Sequence, residues 1–317
     1  MVKITGTDLV VSPLCLGCAV IGSSFDKKES FDLLDLFTGM GGNFLDTALN
    51  YADWAYPEKS ISEKTIGLWM KERKNRDRVT IGTKVAQIDF NTGYVRIRKE
   101  EITEDVMTCL KNLQTDYIDL LYLHRDLEDV PAEEITETLR KLKKEGLIRY
   151  YGFSNWSTDR LKKVRELVGD TGGFAANQPM WSCARINKES LSDQTLRIMD
   201  DEMFLFHKET KLTAVPFTSQ ARGYFAKLEE GRVSSSLKKI YDNEENRKRF
   251  ERLKKCSEET GLSVNDLSLA YLKSMPFPTV PIIGFKDKEQ LLQNLKNMDI
   301  TLPEKTVMYI RGESNLF

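Results

Sequence analysis

The chain has 317 residues, of which 40% are hydrophobic and 30% charged, with 9 Pro and 19 Gly. This composition excludes disordered, collagen-like and low-complexity classes, and the length suffices for a large buried core. Lys and Arg total 47 against 48 Asp and Glu, a net charge of -1, which gives no reason to expect nucleic acid or another polyanion as partner.

In chain order, residues 2–11 place Gly6 and Thr7 between two short alternating stretches, the pattern of a small β-hairpin. Residues 14–21 read as a strand and 27–40 as a helix, with Phe31, Leu33, Leu34, Leu36 and Phe37 apolar. The alternation continues with strands at 43–48, 79–85, 117–124, 148–154, 174–178, 212–217 and 279–283. Helices are expected at 59–73, 101–113, 132–145, 158–168, 194–209, 244–260, 264–274 and 287–298. Eight strand-then-helix units with continuous apolar strands predict a parallel sheet buried on both faces, closed into a (β/α)8 TIM barrel with an N-terminal hairpin on its floor. No Pro, Gly or Ser linker divides residues 1–317, so one domain is expected. The segments after the sixth and seventh barrel strands are long, and long βα loops build sites in such folds.

No apolar run approaches the ~18 residues of a membrane span, and the N-terminus lacks a signal-peptide core. The expected location is cytoplasmic, with no membrane partner. The five cysteines form no disulfide framework for so long a chain. Cys15 and Cys18 have C-x-x-C spacing but lie in an apolar run without a nearby His, so all five read as small buried residues. The basic runs 71–78 and 247–255 are interleaved with acids and read as solvated helix faces.

In a parallel barrel the strand C-termini share one rim, where the chemistry sits. The second to sixth barrel strands end in Asp46, Lys84, His124, Asn155 and Gln178. A lysine between barrel strands is costly unless paired, and Asp46 on the adjacent strand is its obvious partner. Tyr51 lies five residues after Asp46, on a loop able to fold over the rim. A phenol ordinarily titrates near pH ~10, and a neighbouring ammonium lowers that value. His124 can bond the same substrate oxygen or relay a proton. His207, in a charged helix end, reads as solvated. The four groups Asp46, Tyr51, Lys84 and His124 suit protonation of a carbonyl oxygen while hydride reaches its carbon. They do not suit a metal, because no second His or carboxylate cluster accompanies them. The triplet His124-Arg-Asp126 also spells a kinase catalytic loop, but position 131 is Pro and the other kinase motifs are absent.

The motifs Phe44-Leu-Asp-Thr-Ala-Leu-Asn-Tyr51, Thr83-Lys84, Leu121-Tyr-Leu-His124, Gly152-Phe-Ser-Asn155, Asn177-Gln178 and Ser62-Glu63 with Gly67 stand in this order along the chain. With them the sequence resembles the aldo-keto reductase superfamily over nearly its whole length. The resemblance implies the barrel fold, a catalytic tetrad of Asp46, Tyr51, Lys84 and His124, and Tyr51 as general acid in reduction and general base in oxidation. It also implies a nicotinamide cofactor bound without a Rossmann domain, and no G-x-G-x-x-G follows a strand here.

By the same resemblance Asp46, Ser154, Asn155 and Gln178 border the nicotinamide, and Phe217 stacks on its ring where many relatives carry Tyr or Trp. Thr218, Ser219, Gln220 and Ala221 would wrap the pyrophosphate. Gly284, Lys286, Gln290, Gln293 and Asn294 match the adenosine-phosphate segment, with Gly284 and Lys286 at a helix start that attracts phosphate. Lys286 favours NADP over NAD, although Gln290 stands where family members often have Arg. Trp54, Tyr56, His124, Arg125 and Trp156 are the candidate substrate pocket, with Trp181 a further rim aromatic. Arg125 and Asp126 would suit a hydroxylated carbonyl such as a sugar. The expected partner is a small carbonyl or alcohol. The competing reading is an NADPH-binding regulatory or interaction module with slow turnover, and a redox-neutral reaction on a sugar is a third.

Overall fold

The computed structural model describes residues 1–55, 57–170 and 172–313. The hairpin strands β1 (Val2–Lys3) and β2 (Val10–Val11) pair antiparallel, Val2 opposite Val11. Thr5 N donates to Thr213 Oγ1 at 2.9 Å, Asn43 Nδ2 to Val10 O at 3.0 Å, and Arg149 and Tyr150 bond Asp8. These partners lie at the beginnings of barrel strands, so the hairpin covers the floor, opposite the rim.

The barrel strands are β3 (Cys15–Gly17), β4 (Phe44–Asp46), β5 (Thr80–Val85), β6 (Ile118–Leu123), β7 (Ile148–Ser154), β8 (Phe174–Gln178), β9 (Thr213–Ala214) and β10 (Ile282–Ile283). They pair in parallel in the order β10-β3-β4-β5-β6-β7-β8-β9. Val280 N donates to Ala214 O and Ile282 N to Pro216 O, each at 2.9 Å, which closes the ring. The strands at this seam are shorter than the apolar runs 212–217 and 279–283 predict. Pro216 and Pro281 have no N–H to give, and the ladder breaks at them.

The helices are α1 (Lys27–Gly39), α2 (Ile61–Arg73), α3 (Lys99–Leu113), α4 (Ala132–Lys144), α5 (Thr158–Val168), α6 (Asp201–Thr210), α7 (Tyr224–Glu229), α8 (Ser235–Tyr241), α9 (Glu244–Thr260), α10 (Val264–Lys273), α11 (Lys288–Lys296) and α12 (Glu304–Arg311). Polar side chains start them where the sequence places them. Asp26 and Glu29 form a reciprocal cap on α1, and Ser263 and Asp266 another on α10. The helix expected over 194–209 begins only at Asp201, capped by Asp200. Residues 197–199 instead run extended along Met180, with Met180 N donating to Arg197 O and Met199 N to Met180 O. Helices α7, α8 and α12 were not expected, since six to eight residues are too few for a clear period.

Two cores result. Leu16, Leu45, Ile81, Leu121 and Phe153 face the helices, while Phe44, Leu120, Tyr122, Ala176 and Ile282 fill the barrel with Ile4, Leu9 and Val11 of the hairpin segment. Gly152 is required here: a Cβ on it would lie 2.8 Å from the Tyr122 ring. Strand alternation turns Lys84 inward and its neighbour Thr83 outward, onto Glu63 of α2 at 2.6 Å.

Candidate active site

Thr47 N donates to Gly82 O at 2.8 Å and Leu49 N to Lys84 O at 3.0 Å, so the chain leaving β4 still follows β5. It then turns, with Tyr51 N on Ala48 O at 3.0 Å and Ala52 at a φ of 68°. A left-handed alanine is a strained position, and this turn carries Tyr51 back over the rim.

Lys84 Nζ lies 2.6 Å from Asp46 Oδ2, 2.8 Å from Thr47 O and 3.1 Å from Tyr51 Oη. Gln178 Nε2 donates to the other Asp46 oxygen at 2.8 Å. Lys84 and Asp46 are 1% and 2% exposed. A buried ion pair persists only when such surrounding bonds offset its desolvation. Burial pulls the Lys84 pKa down, but the Asp46 carboxylate and Tyr51 more than reverse that, and Lys84 stays an ammonium. Burial raises the Asp46 carboxyl against the pull of Lys84 and Gln178.

Tyr51 differs from the expectation of a lowered pKa. Burial raises it, and Lys84 offsets only part of that rise. The resting group is a neutral phenol. His124 packs edge-on against it, ring centroids 6.1 Å apart. The His124 pKa is pushed well below the ordinary value by burial and by the charges of Lys84 and Arg125, so the imidazole is neutral. Its Nδ1 lies 2.9 Å from Gln87 Oε1, a residue the sequence reading did not single out. The set can hand a proton from Tyr51 to an oxygen at the rim while Lys84 stabilises the phenolate left behind.

The other expected site residues form the opposite part of the rim. Ser154 Oγ donates to Gln178 O at 2.9 Å, and Asn155 Nδ2 to His124 O at 3.1 Å. Phe217 is half-buried at the top of the barrel interior. Thr218, Ala221 and Arg222 all take positive φ, so the chain from 218 to 223 is tightly coiled. Ser219 Oγ bonds Ile282 O at 2.5 Å. Gln220 bridges two segments, giving Nε2 to Asn294 Oδ1 at 2.9 Å and taking Gly284 N at 3.2 Å. Gly284 and Lys286 precede α11, whose cap is Asp287. Lys286 N is held by Gln290 Oε1 at 2.8 Å, while the Lys286 and Gln293 side chains are exposed.

Sequence reasoning missed the cations that join Lys286. Lys227 Nζ donates to Arg222 O at 2.7 Å. Burial, then the charges of Arg232, Lys286 and Arg222, push its pKa down. Lysines and arginines brought together in this way suit an anion. Amides at Asn155 and Gln178, an aromatic face at Phe217 and this cationic end are the kinds of group that a nicotinamide dinucleotide would need, with Asn155 already bonded to His124 O, Ser154 Oγ and Arg197 N.

The pocket residues separate. Trp54 is 66% exposed, edge-on to Tyr51 at 6.4 Å, while Tyr56 lies outside the described residues. Trp156 has no exposed surface; its indole donates to Arg125 O at 3.2 Å and its ring packs on Phe153. The Arg125 guanidinium is committed to His124 O, Thr195 and Asp193, and Asp126 to Arg160. These groups hold the long loop and the strand end and leave no free guanidinium facing a ligand. Trp181 stacks on Phe277. His207, expected to be solvated, is buried, its Nδ1 on Leu212 O at 2.8 Å. It lies on the face of α6 turned to β8, where Asn177 Nδ2 meets its Nε2 at 3.0 Å. Among the described residues no group of His, Cys, Asp or Glu is placed to hold a metal, and no helix is long and apolar enough to cross a membrane.

The aldo/keto reductase family model matches residues 13–314. The chain is 27% identical to a norsolorinic acid reductase of Aspergillus flavus, covering 95% of this chain and 77% of that one. It is 29% identical to an NADP(+) aryl-alcohol dehydrogenase of Phanerodontia chrysosporium, covering 96% and 83%. A solved aldo-keto reductase of Bacillus halodurans, in its holo form, superimposes with a TM-score of 0.74 at 26% identity, covering 99% of this chain and 96% of that one. The rim geometry, the barrel and these likenesses agree: the chain is an oxidoreductase belonging to the aldo/keto reductase family.

Proposed function

We propose that the chain interconverts a small aldehyde or ketone and its alcohol with NADP(H), using Tyr51 as the proton-transferring group. The observation that carries this reading is the single ammonium of Lys84 bonded at once to Asp46 and to Tyr51 Oη. When bound, the dihydronicotinamide supplies the hydride. Tyr51 gives its proton to the substrate oxygen, Lys84 stabilises the resulting phenolate, and Asp46 holds the lysine in place and charged. In the oxidative direction the phenolate takes the alcohol proton. His124 orients the substrate beside Tyr51.

Ser154, Asn155 and Gln178 would hold the carboxamide end and Phe217 the ring face. Thr218 to Ala221, with Gly284, Lys286, Gln290, Gln293 and Asn294, would hold the adenosine phosphates. The cluster of Arg222, Lys227 and Lys286 supports NADP over NAD, since a 2′-phosphate would offset the positive charges that bear on Lys227. The exposed Trp54 beside Tyr51 and the name of the aryl-alcohol dehydrogenase relative support an aromatic carbonyl. The test is NADPH absorbance with a panel of aromatic, aliphatic and sugar carbonyls. Tyr51→Phe should lower turnover by about 10²–10⁴-fold, the usual scale of acid–base catalysis, with unchanged nucleotide affinity. Full turnover in that variant would overturn the proposal.

A further inference from the structure

We propose that a cavity among α6, α9, α10 and α12 is a second binding site, for a small aromatic carboxylate, with Tyr271 and Arg311 as the groups that hold the anion. It shares no residue with the tetrad or with the segments assigned to the nucleotide, and it does not depend on the reductase reading.

The cavity follows from how the chain leaves β8. Met180 runs between Ile198 and Phe217, and Trp181 N donates to Phe217 O at 3.2 Å. The Trp181 ring packs on Phe277 and Phe204, with centroids 6.0 and 6.2 Å apart. Ser182 and Ala184 follow, and their side chains are too short to fill the space between this segment and the helices. What remains is a cavity of about 120 Å³, with the exposed Arg185 and Asp201 at its edge. An apolar cavity of about 150 Å³ admits benzene, so the scale is that of one ring. The segment that forms the adjoining wall also gives Arg197 N to Asn155 Oδ1 at 3.2 Å, so the site borders the rim without being part of it.

Two observations point to an anion. Tyr271 lines the cavity and is only 4% exposed, yet its hydroxyl bonds to no described residue. Burial holds the phenol at about 12, against the pull of Arg249, Arg311 and Arg185, so it is a neutral donor. A buried hydroxyl is expected to have a partner.

The guanidiniums are the second. Arg249 donates through Nη1 to Cys183 O at 2.6 Å and through Nη2 to Glu245 at 3.0 Å, and its Nε is enclosed with no partner. Arg311 lies over the Phe204 ring, 4.8 Å from its centroid, and meets Glu313 through Nε at 2.8 Å. Both its Nη groups are uncommitted among the described residues. Arg185 has only Asp201, at 3.8 Å, while Asp200 is spent on the α6 cap. A carboxylate accepts from the Tyr271 hydroxyl and from a guanidinium at once. An aromatic body suits the walls of Trp181, Phe204 and Met199. A cationic ligand would meet three arginines, and an uncharged ring would leave the donors unmet.

The test uses 4-fluorobenzoate, followed by ¹⁹F NMR on the full chain, with 4-fluorobenzamide as its uncharged counterpart. The expected result is saturable binding of the acid, with the amide about tenfold weaker, the scale of one charge-assisted hydrogen bond. Tyr271→Phe and Arg311→Met should each weaken the acid by about five- to tenfold, while Tyr51→Phe leaves its affinity unchanged. Arg311 is partly exposed, so Arg311→Met keeps the test open if Tyr271→Phe fails to fold. Loss of binding in Tyr51→Phe, with none in Tyr271→Phe or Arg311→Met, would place the benzoate at the catalytic rim and overturn the proposal. Absence of saturable binding would overturn it as well.

Discussion

The two parts of the rim are built on opposite electrostatic plans. Around β4, β5 and β6 each charged group has its partner: Lys84 with Asp46, Asp46 with Gln178, Tyr51 with Lys84. Around residues 217–232 and 284–294 the chain instead gathers cations: the charges of Arg232, Lys286 and Arg222 bear on Lys227, while Arg232 also meets Glu230 and Lys286 meets Asp287. The first arrangement is finished before any ligand arrives. The second leaves Lys227 under the positive charge of its neighbours. Preorganised groups suit the chemical step, and gathered positive charge suits reversible capture of a phosphate.

Removing one member of the closed half should break it outright. Lys84→Met strands the Asp46 carboxylate in the barrel and should destabilise the fold by about 3–5 kcal/mol, read from denaturant midpoints, besides abolishing turnover. Little change in stability would mean that Asp46 is not held as a buried carboxylate.

His207 offers a contrast away from the rim. Burial pushes its pKa down to about 4 from 6.5. The unfolded chain therefore takes up a proton that the folded chain refuses, and stability is lost as pH falls from 6.5 towards 4. Roughly 3 kcal/mol is at stake. Replacing His207 by Asn should flatten this part of the stability–pH curve, while leaving the Lys84 effect intact.

The open half should give smaller, graded effects. Lys286→Ala should weaken NADPH by about five- to tenfold and NADH hardly at all, as expected for one exposed charged contact. Added salt should shrink the difference. Equal losses for the two nucleotides would place the 2′-phosphate elsewhere.

The same contrast explains what the sequence revealed. Asp46, Lys84, His124, Asn155 and Gln178 stand at or just beyond the ends of apolar strands, and a parallel barrel puts those positions on one rim. Strand alternation did the rest. Gln87 and Lys227 carried no such mark. Gln87 lies in an aperiodic loop and meets His124 through space, and Lys227 sits in a six-residue helix that offers no period. Arg125 looked like a pocket residue because it follows His124, yet its partners Asp193 and Thr195 lie on a loop almost seventy residues on. The direction of the Tyr51 shift was also hidden, because adjacency to Lys84 is visible in the sequence and the depth of burial is not.

The pH dependence of both reaction directions tests the role of Tyr51 most directly. A phenol held above its ordinary value of ~10 stays protonated across the neutral range. Carbonyl reduction, as kcat/KM, should then be level from about pH 6 to pH 9 and fall only in stronger alkali, whereas alcohol oxidation should rise throughout that range. If reduction instead fell through a single step near or below about pH 7, the acid would not be a buried phenol and the assignment of Tyr51 would be wrong.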